Sequence, residues 1–120
     1  MTKKRILVID DEDISREGVA EVLRDEGYEV AVAVDGLEAV AVLGSFVPHL
    51  VLTDLQMPRL DGLGVIGHMK QFHPTTPVMI FTADVTNDAR RKAERLGVQD
   101  YINKPLNFED MLERIERLLK

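Results

Sequence analysis

Apolar residues come in two rhythms along this chain, and the two alternate. Short continuous runs such as Ile6-Leu7-Val8-Ile9, Leu50-Val51-Leu52 and Val78-Met79-Ile80-Phe81 have the length and β-branching of strands buried on both faces. Between them, apolar positions recur at helical spacing. The pattern predicts strands at 5–9, 29–34, 50–53, 78–81 and 100–102. It predicts helices at 14–26, 37–45, 62–72 and 86–96, and a last one capped at or next to Asn107. The expected inward residues are Ile14, Val19, Val22 and Leu23 in the first helix, Leu37, Val40 and Leu43 in the second, and Leu63, Ile66 and Met69 in the third. The last helix carries the stripe Phe108, Met111, Leu112, Ile115, Leu118 and Leu119. Val30, Val32 and Val34 should share one side of the second strand. Gly27 and Gly97 close helices, Asp35-Gly36 and Asp61-Gly62 turn the chain, and Gly64 and Gly67 should leave the third helix soft.

Strands alternating with helices imply α/β architecture: a parallel sheet covered on both faces, with right-handed crossovers. Five such units in 120 residues make one domain over 1–120, without repeat or linker. The flavodoxin-like strand order 2-1-3-4-5 suits this size, a choice that also draws on the resemblance described below.

Composition narrows the field. Apolar residues make up 45% of the chain, too many for disorder. The absence of Cys excludes disulfides and thiolate metal sites. No apolar run approaches a membrane span, and Met1-Thr-Lys-Lys-Arg leads into a strand rather than a signal peptide, so a cytoplasmic location and no membrane partner are expected. A net charge of −6 argues against direct nucleic-acid binding.

Chemistry gathers where the strands end. The first strand ends in Asp10-Asp11, the third in Asp54, the fourth in Thr82, and Lys104 follows the fifth. In an open α/β sheet, ligands sit outside these carboxyl ends. With the first and third strands adjacent, the carboxylates converge, and two unit charges 4 Å apart repel by about 4 kcal/mol at an effective dielectric of 20. Such a cluster must be protonated, splayed apart, or neutralised by a cation. A hard divalent ion with oxygen ligands fits best: Mg²⁺ uses one or two carboxylates and leaves room for phosphate oxygens. A carboxylate nucleophile, Mg²⁺, Lys104 and the Thr82 hydroxyl together suit phosphoryl transfer, with Asp54 becoming an aspartyl phosphate.

Taken together, Asp10-Asp11, the stretch VLTDLQMPRLDG, Thr82-Ala83, Tyr101 and Lys104-Pro105 resemble a response-regulator receiver domain, the phosphoacceptor module of two-component signalling. The resemblance covers essentially the whole chain. It implies a switch that takes a phosphoryl group from a histidine kinase or histidine phosphotransfer protein onto Asp54. It implies Mg²⁺, for which Mn²⁺ can substitute, held by Asp11, Asp54 and the Gln56 carbonyl, with Asp10 acting through water. Lys104, next to a cis peptide before Pro105, contacts the phosphoryl group. Thr82 moves toward that group, Tyr101 swings inward, and the face of the fourth helix, fifth strand and fifth helix changes shape. Gln56 and Asp84 would tune the signal's lifetime, so changing either should alter dephosphorylation more than stability. Such a domain assists its own phosphorylation and hydrolysis but turns over no separate substrate.

Plainer readings stand beside these. Glu12 and Asp13 suit a helix start. Tyr101 could be an ordinary edge aromatic, and Met57 a packing residue. Arg90, Arg91, Lys92 and Arg95 read as a solvated face. The alternative is a homodimer or partner surface facing Glu109, Asp110 and Glu113. His49, His68 and His73 lack metal-like spacing and are expected at the surface. An FMN-binding flavodoxin would not follow its first strand with Asp10-Asp11-Glu12-Asp13, which repels phosphate. A haloacid-dehalogenase-type phosphatase needs D-x-D-x-T there, and Asp10-x-Glu12-x-Ile14 fails it. A degenerate receiver, used as a phosphorylation-independent interaction module, would typically lack Asp54 or Lys104. Both are present.

Overall fold

The apolar runs become the strands of one parallel sheet. The computed structural model describes residues 3–57, 59–83, 86–105 and 107–120. In chain order its elements are β1 (Arg5–Ile9), α1 (Asp13–Asp25), β2 (Glu29–Ala33), α2 (Gly36–Leu43), β3 (Leu50–Thr53), α3 (Gly62–Phe72), β4 (Val78–Thr82), α4 (Asn87–Arg95), β5 (Asp100–Asn103) and α5 (Phe108–Leu118). The strand order is 2-1-3-4-5, all parallel, as the sequence led us to expect. Among the described residues, no helix is long and apolar enough to cross a membrane.

Side chains alternate across a strand, so a continuous apolar run feeds two cores at once. Ile6, Val8, Leu50, Leu52, Met79 and Phe81 point to one face and pack with Val19 and Leu23 of α1 and Met111 and Ile115 of α5. Leu7, Ile9, Val51 and Ile80 point to the other face, against Ala39, Leu43, Val65, Ile66, Met69 and Ala93 of α2, α3 and α4. Val30 and Val32 share the α1/α5 face, while Ala31 and Ala33 join the opposite cluster.

Three apolar residues depart from the expected stripes. Ile14 is 87% exposed, Leu37 50% and Phe108 40%. The buried face of α1 runs through Arg16, Val19, Ala20 and Leu23, which leaves Ile14 off it. In α2 the inward face is Gly36, Ala39 and Leu43. Small residues serve there because the helix start lies against the backbone of Leu60, where a Cβ on Gly36 would sit 2.1 Å from the carbonyl oxygen. The histidines are half-buried rather than plainly on the surface, and His49 Nδ1 accepts the Arg5 amide at 2.8 Å. Met57 packs against the α2/α3/α4 core.

Candidate functional site

β1, β3, β4 and β5 each bring a side chain at or just past their last residue to one rim. β1 and β3 both continue one residue past their ends, since the Asp10 amide donates to Ala33 and the Asp54 amide to Ile9. Their carboxylates are therefore fixed by the sheet. Asp10 is fully buried and Asp54 is 7% exposed, whereas Asp11 is open to solvent. Oxygens of Asp10, Asp11 and Asp54 all lie within 4.8 Å of one another.

Lys104 closes the site from β5. Its Nζ donates to Asp10 Oδ2 at 2.8 Å and to Asp54 Oδ2 at 3.0 Å. Burial lowers the Lys104 pKa, but hydrogen bonds and attraction from Asp10 and Asp54 outweigh it, leaving the ammonium above its ordinary value. The ammonium also lies 5.0 Å from the centre of the Phe81 ring. The Lys104–Pro105 peptide is cis. The Lys104 amide donates to the Thr82 carbonyl at 2.8 Å, which ties the ends of β4 and β5 together. Thr82 is buried.

The other oxygens are also held. Asp10 Oδ1 accepts the Glu12 amide at 3.0 Å, and Asp54 Oδ1 accepts the Gln56 amide at 3.2 Å. The latter bond places the Gln56 backbone beside the Asp54 carboxylate. Three carboxylates against one ammonium leave excess negative charge on a rim with one open side. This all-oxygen donor set fits a hard divalent cation that keeps some of its water. Lys104, Asp10, Asp11, Asp54, Gln56 and Thr82 are thus assembled at one rim. Asp84 lies outside the described residues.

Tyr101 sits one layer away. It is 8% exposed, in the α2/α3/α4 cluster, with the Arg90 guanidinium 5.4 Å from its ring centre. On the helix faces around it, charges pair within single helices: Arg90 with Glu94, Lys92 with Asp88, and Arg114 with Asp110. Arg114 also meets Asp100 at 2.8 Å.

Three supports were not read from the sequence. Arg16, 7% exposed on α1, donates to the Asp10 carbonyl at 3.0 Å and to Asp13 Oδ1 at 2.7 Å, bracing the acidic loop. Gly62 starts α3 so close to β3 that a Cβ would lie 2.3 Å from the Asp54 carbonyl oxygen. Arg59 pairs with the buried Asp35. Only the Gly62 position carried a sequence signal, as half of a turn. Beside Lys104 opens a groove of about 610 Å³, walled by Ile14, Val19, Pro105 and Phe108.

Comparison with known proteins agrees with this fold. A family model described as response regulator receiver domain matches residues 6–116. The response regulator MprA of Mycobacterium sp. (strain KMS) is 36% identical over 116 residues, covering 97% of this chain and 50% of that protein. The chain thus spans about half the length of the curated relatives it matches. Among solved structures, a CheY-like response regulator receiver domain protein from Methanospirillum hungatei JF-1 superposes with a TM-score of 0.94 at 28% identity, over 98% of this chain and 94% of the other. The receiver domain of NtrX from Brucella abortus is 36% identical with a TM-score of 0.89, over 95% and 97% of the two chains.

Proposed function

This chain belongs to the response regulator receiver domain family of two-component systems, and from that premise we propose that it is a phosphorylation switch whose acceptor is Asp54. The observation that carries this reading is the Asp54 carboxylate, held at the end of β3 with Oδ2 on Lys104 and the Asp10 and Asp11 oxygens within 4.8 Å. An isolated strand-terminal Asp would need none of these neighbours.

In the step we propose, a carboxylate oxygen of Asp54 attacks the phosphorus of a phosphohistidine. The new O–P bond forms as the P–N bond breaks, and the imidazole leaves with the electron pair and takes up a proton. Asp11, Asp54 and the Gln56 carbonyl would hold Mg²⁺ directly, with Asp10 acting through water. Mn²⁺ suits the same oxygen ligands. The ion would neutralise charge on the phosphoryl oxygens. Lys104, which bonds Asp54 Oδ2 in this structure, would turn a donor toward the transferred group. The Thr82 hydroxyl would bond the same group, and Tyr101 would repack beneath Arg90. The face formed by α4, β5 and α5 would then differ between the two states. Gln56 and Asp84 are the residues we assign to hydrolysis rate. The whole chain would work as one receiver unit, controlling an output by protein contact, and a second copy could pair through the same face.

A receiver implies a histidine kinase partner. The donor must bring phosphorus to Asp54, and the groove beside Lys104, with Ile14 and Phe108 exposed at its edge, is where its surface would rest.

The deciding test is intact mass after incubation with acetyl phosphate and Mg²⁺, beside Asp54→Asn and a chelated control. One phosphoryl adduct, lost in both controls, is the expected result. A folded, Mg²⁺-binding protein that takes phosphate from neither acetyl phosphate nor a kinase would favour the phosphorylation-independent interaction module.

A further inference from the structure

We infer that Arg59 is a positioning residue for the metal site, acting through the loop between β3 and α3 and braced on Asp35. The inference rests on the reading of Asp54 and Gln56 given above. That loop begins at Asp54, carries the Gln56 carbonyl, and reaches α3 at Gly62. Its near end is held by the Gln56 amide on Asp54 Oδ1 at 3.2 Å and by the Gly62 amide on the Leu55 carbonyl at 2.9 Å. Its far end reaches the junction of β2 and α2, on the other side of β1. There Arg59 Nε donates to Asp35 Oδ2 at 2.6 Å, and Nη2 lies 2.5 Å from the same oxygen. The Gly36 amide donates to the Leu60 carbonyl at 3.0 Å. The loop is thus fastened at both ends, with the proposed carbonyl ligand between.

Two features set this pair apart from an ordinary surface ion pair, which contributes little. The Asp35 side chain is only 6% exposed and already caps α2 by accepting the Glu38 amide at 2.9 Å, so one partner is fixed in advance. Arg59 has φ 68°, a left-handed conformation that a long side chain rarely adopts, and such backbone persists only where its surroundings hold it. A metal ligand must be held to about 0.5 Å, and a carbonyl on an unbraced loop is not. Loosening the loop should therefore weaken the ion's binding.

Charge alone makes a different prediction. Removing a cation near the site would strengthen Mg²⁺ binding, and removing an anion would weaken it, both faintly beyond a Debye length of about 8 Å. A brace makes both changes weaken binding. The variants are Arg59→Asn, since Asn tolerates left-handed backbone, and Asp35→Asn, which keeps a capping oxygen. Ile115→Ala serves as a control that costs stability in the core on the opposite face of the sheet, away from the loop. The readouts are the Mg²⁺ dissociation constant by titration calorimetry and urea unfolding in EDTA. We expect about five-fold weaker binding in each single variant, a smaller effect than for direct neighbours of metal ligands. The double variant should bind no more weakly than either single one, and Ile115→Ala should bind as the parent does. Opposite shifts in the two variants, or none, would overturn the brace. A parent that binds no Mg²⁺ would overturn the metal reading itself, and the brace with it.

Discussion

Removing a negative charge from the rim should make the metal-free protein more stable, and Asp11→Asn is the cleanest way to do it. Asp11 is exposed, and its oxygen lies within 4.8 Å of those of Asp10 and Asp54. At that separation one pair of like charges repels by about 0.9 kcal/mol in bulk water and about 3.5 kcal/mol at an effective dielectric of 20. Asp11 feels two such repulsions, and the Lys104 ammonium, bound to both neighbours, offsets roughly one of them. The residue is open to water, so the lower end applies, and we expect a gain of about 1 to 2 kcal/mol. For 120 residues that corresponds to a Tm about 4 to 8 °C higher. The assay is thermal unfolding in EDTA and again with saturating Mg²⁺. Ion binding at 100-fold over the dissociation constant stabilises by about 2.7 kcal/mol, so the parent should overtake a variant that has lost a ligand. Asp11→Asn that is no more stable than the parent in EDTA would refute the repulsion argument. An unchanged order in Mg²⁺ would refute Asp11 as a ligand.

Two glycines of α3 should behave oppositely in urea denaturation. Gly67→Ala meets nothing within 4 Å and should stabilise by about 0.5 to 1 kcal/mol, while Gly62→Ala pushes on the Asp54 backbone and should cost about 1 to 3 kcal/mol and weaken Mg²⁺ binding. Ile14→Glu should slow phosphotransfer from a histidine kinase about ten-fold while leaving acetyl phosphate labelling and Tm unchanged, because a ten-fold effect corresponds to about 1.4 kcal/mol of lost contact at an exposed residue. Equal slowing with both donors would move the effect from the surface to the site. The Glu38 amide, and after it the Arg59 guanidinium, hold Asp35 below its ordinary value of 3.8. A depressed carboxylate adds stability above that value and loses it as pH falls through the folded pKa. Acid unfolding below about pH 4 should therefore be shallower in Asp35→Asn, and identical acid limbs would count against the contact.

The fold was legible because burial on both faces leaves no polar position inside a strand. Runs such as 6–9 and 78–81 admit few other readings, and strand order then follows from size and the crossover rule. Helix faces were less legible. An apolar stripe predicts burial only when a partner surface is there to cover it. Ile14 sits at the free N-terminal end of α1, one face away from Val19 and Leu23. Leu37 loses its inward place to Gly36 because Leu60 occupies the space. That contact joins residues 24 apart, and no local window contains it.

The site divides along the same line. Asp10, Asp54, Thr82 and Lys104 could be placed together because a parallel sheet carries every strand end to one rim, so chemistry at the ends is shared whatever the loops do. The braces could not. Arg16 and Arg59 have the composition of ordinary surface cations, and a cation takes its role from the acceptor it finds. For Arg16 one acceptor is a backbone carbonyl just past β1, which any residue type would have supplied, and the other is Asp13, whose sequence signal is that of a helix start. For Arg59 it is Asp35, which in the sequence signals only a turn with Gly36 and which the structure shows to be a helix cap. A capping carboxylate has a second oxygen, and once the first bonds a helix amide the second is aimed at a fixed point in space. In this chain the loop after Asp54 passes that point, so one Asp both starts α2 and anchors the loop beside the proposed phosphoacceptor. Changing the cap therefore changes the site, although Asp35 touches neither Asp54 nor Lys104 in any hydrogen bond or ion pair among the described residues.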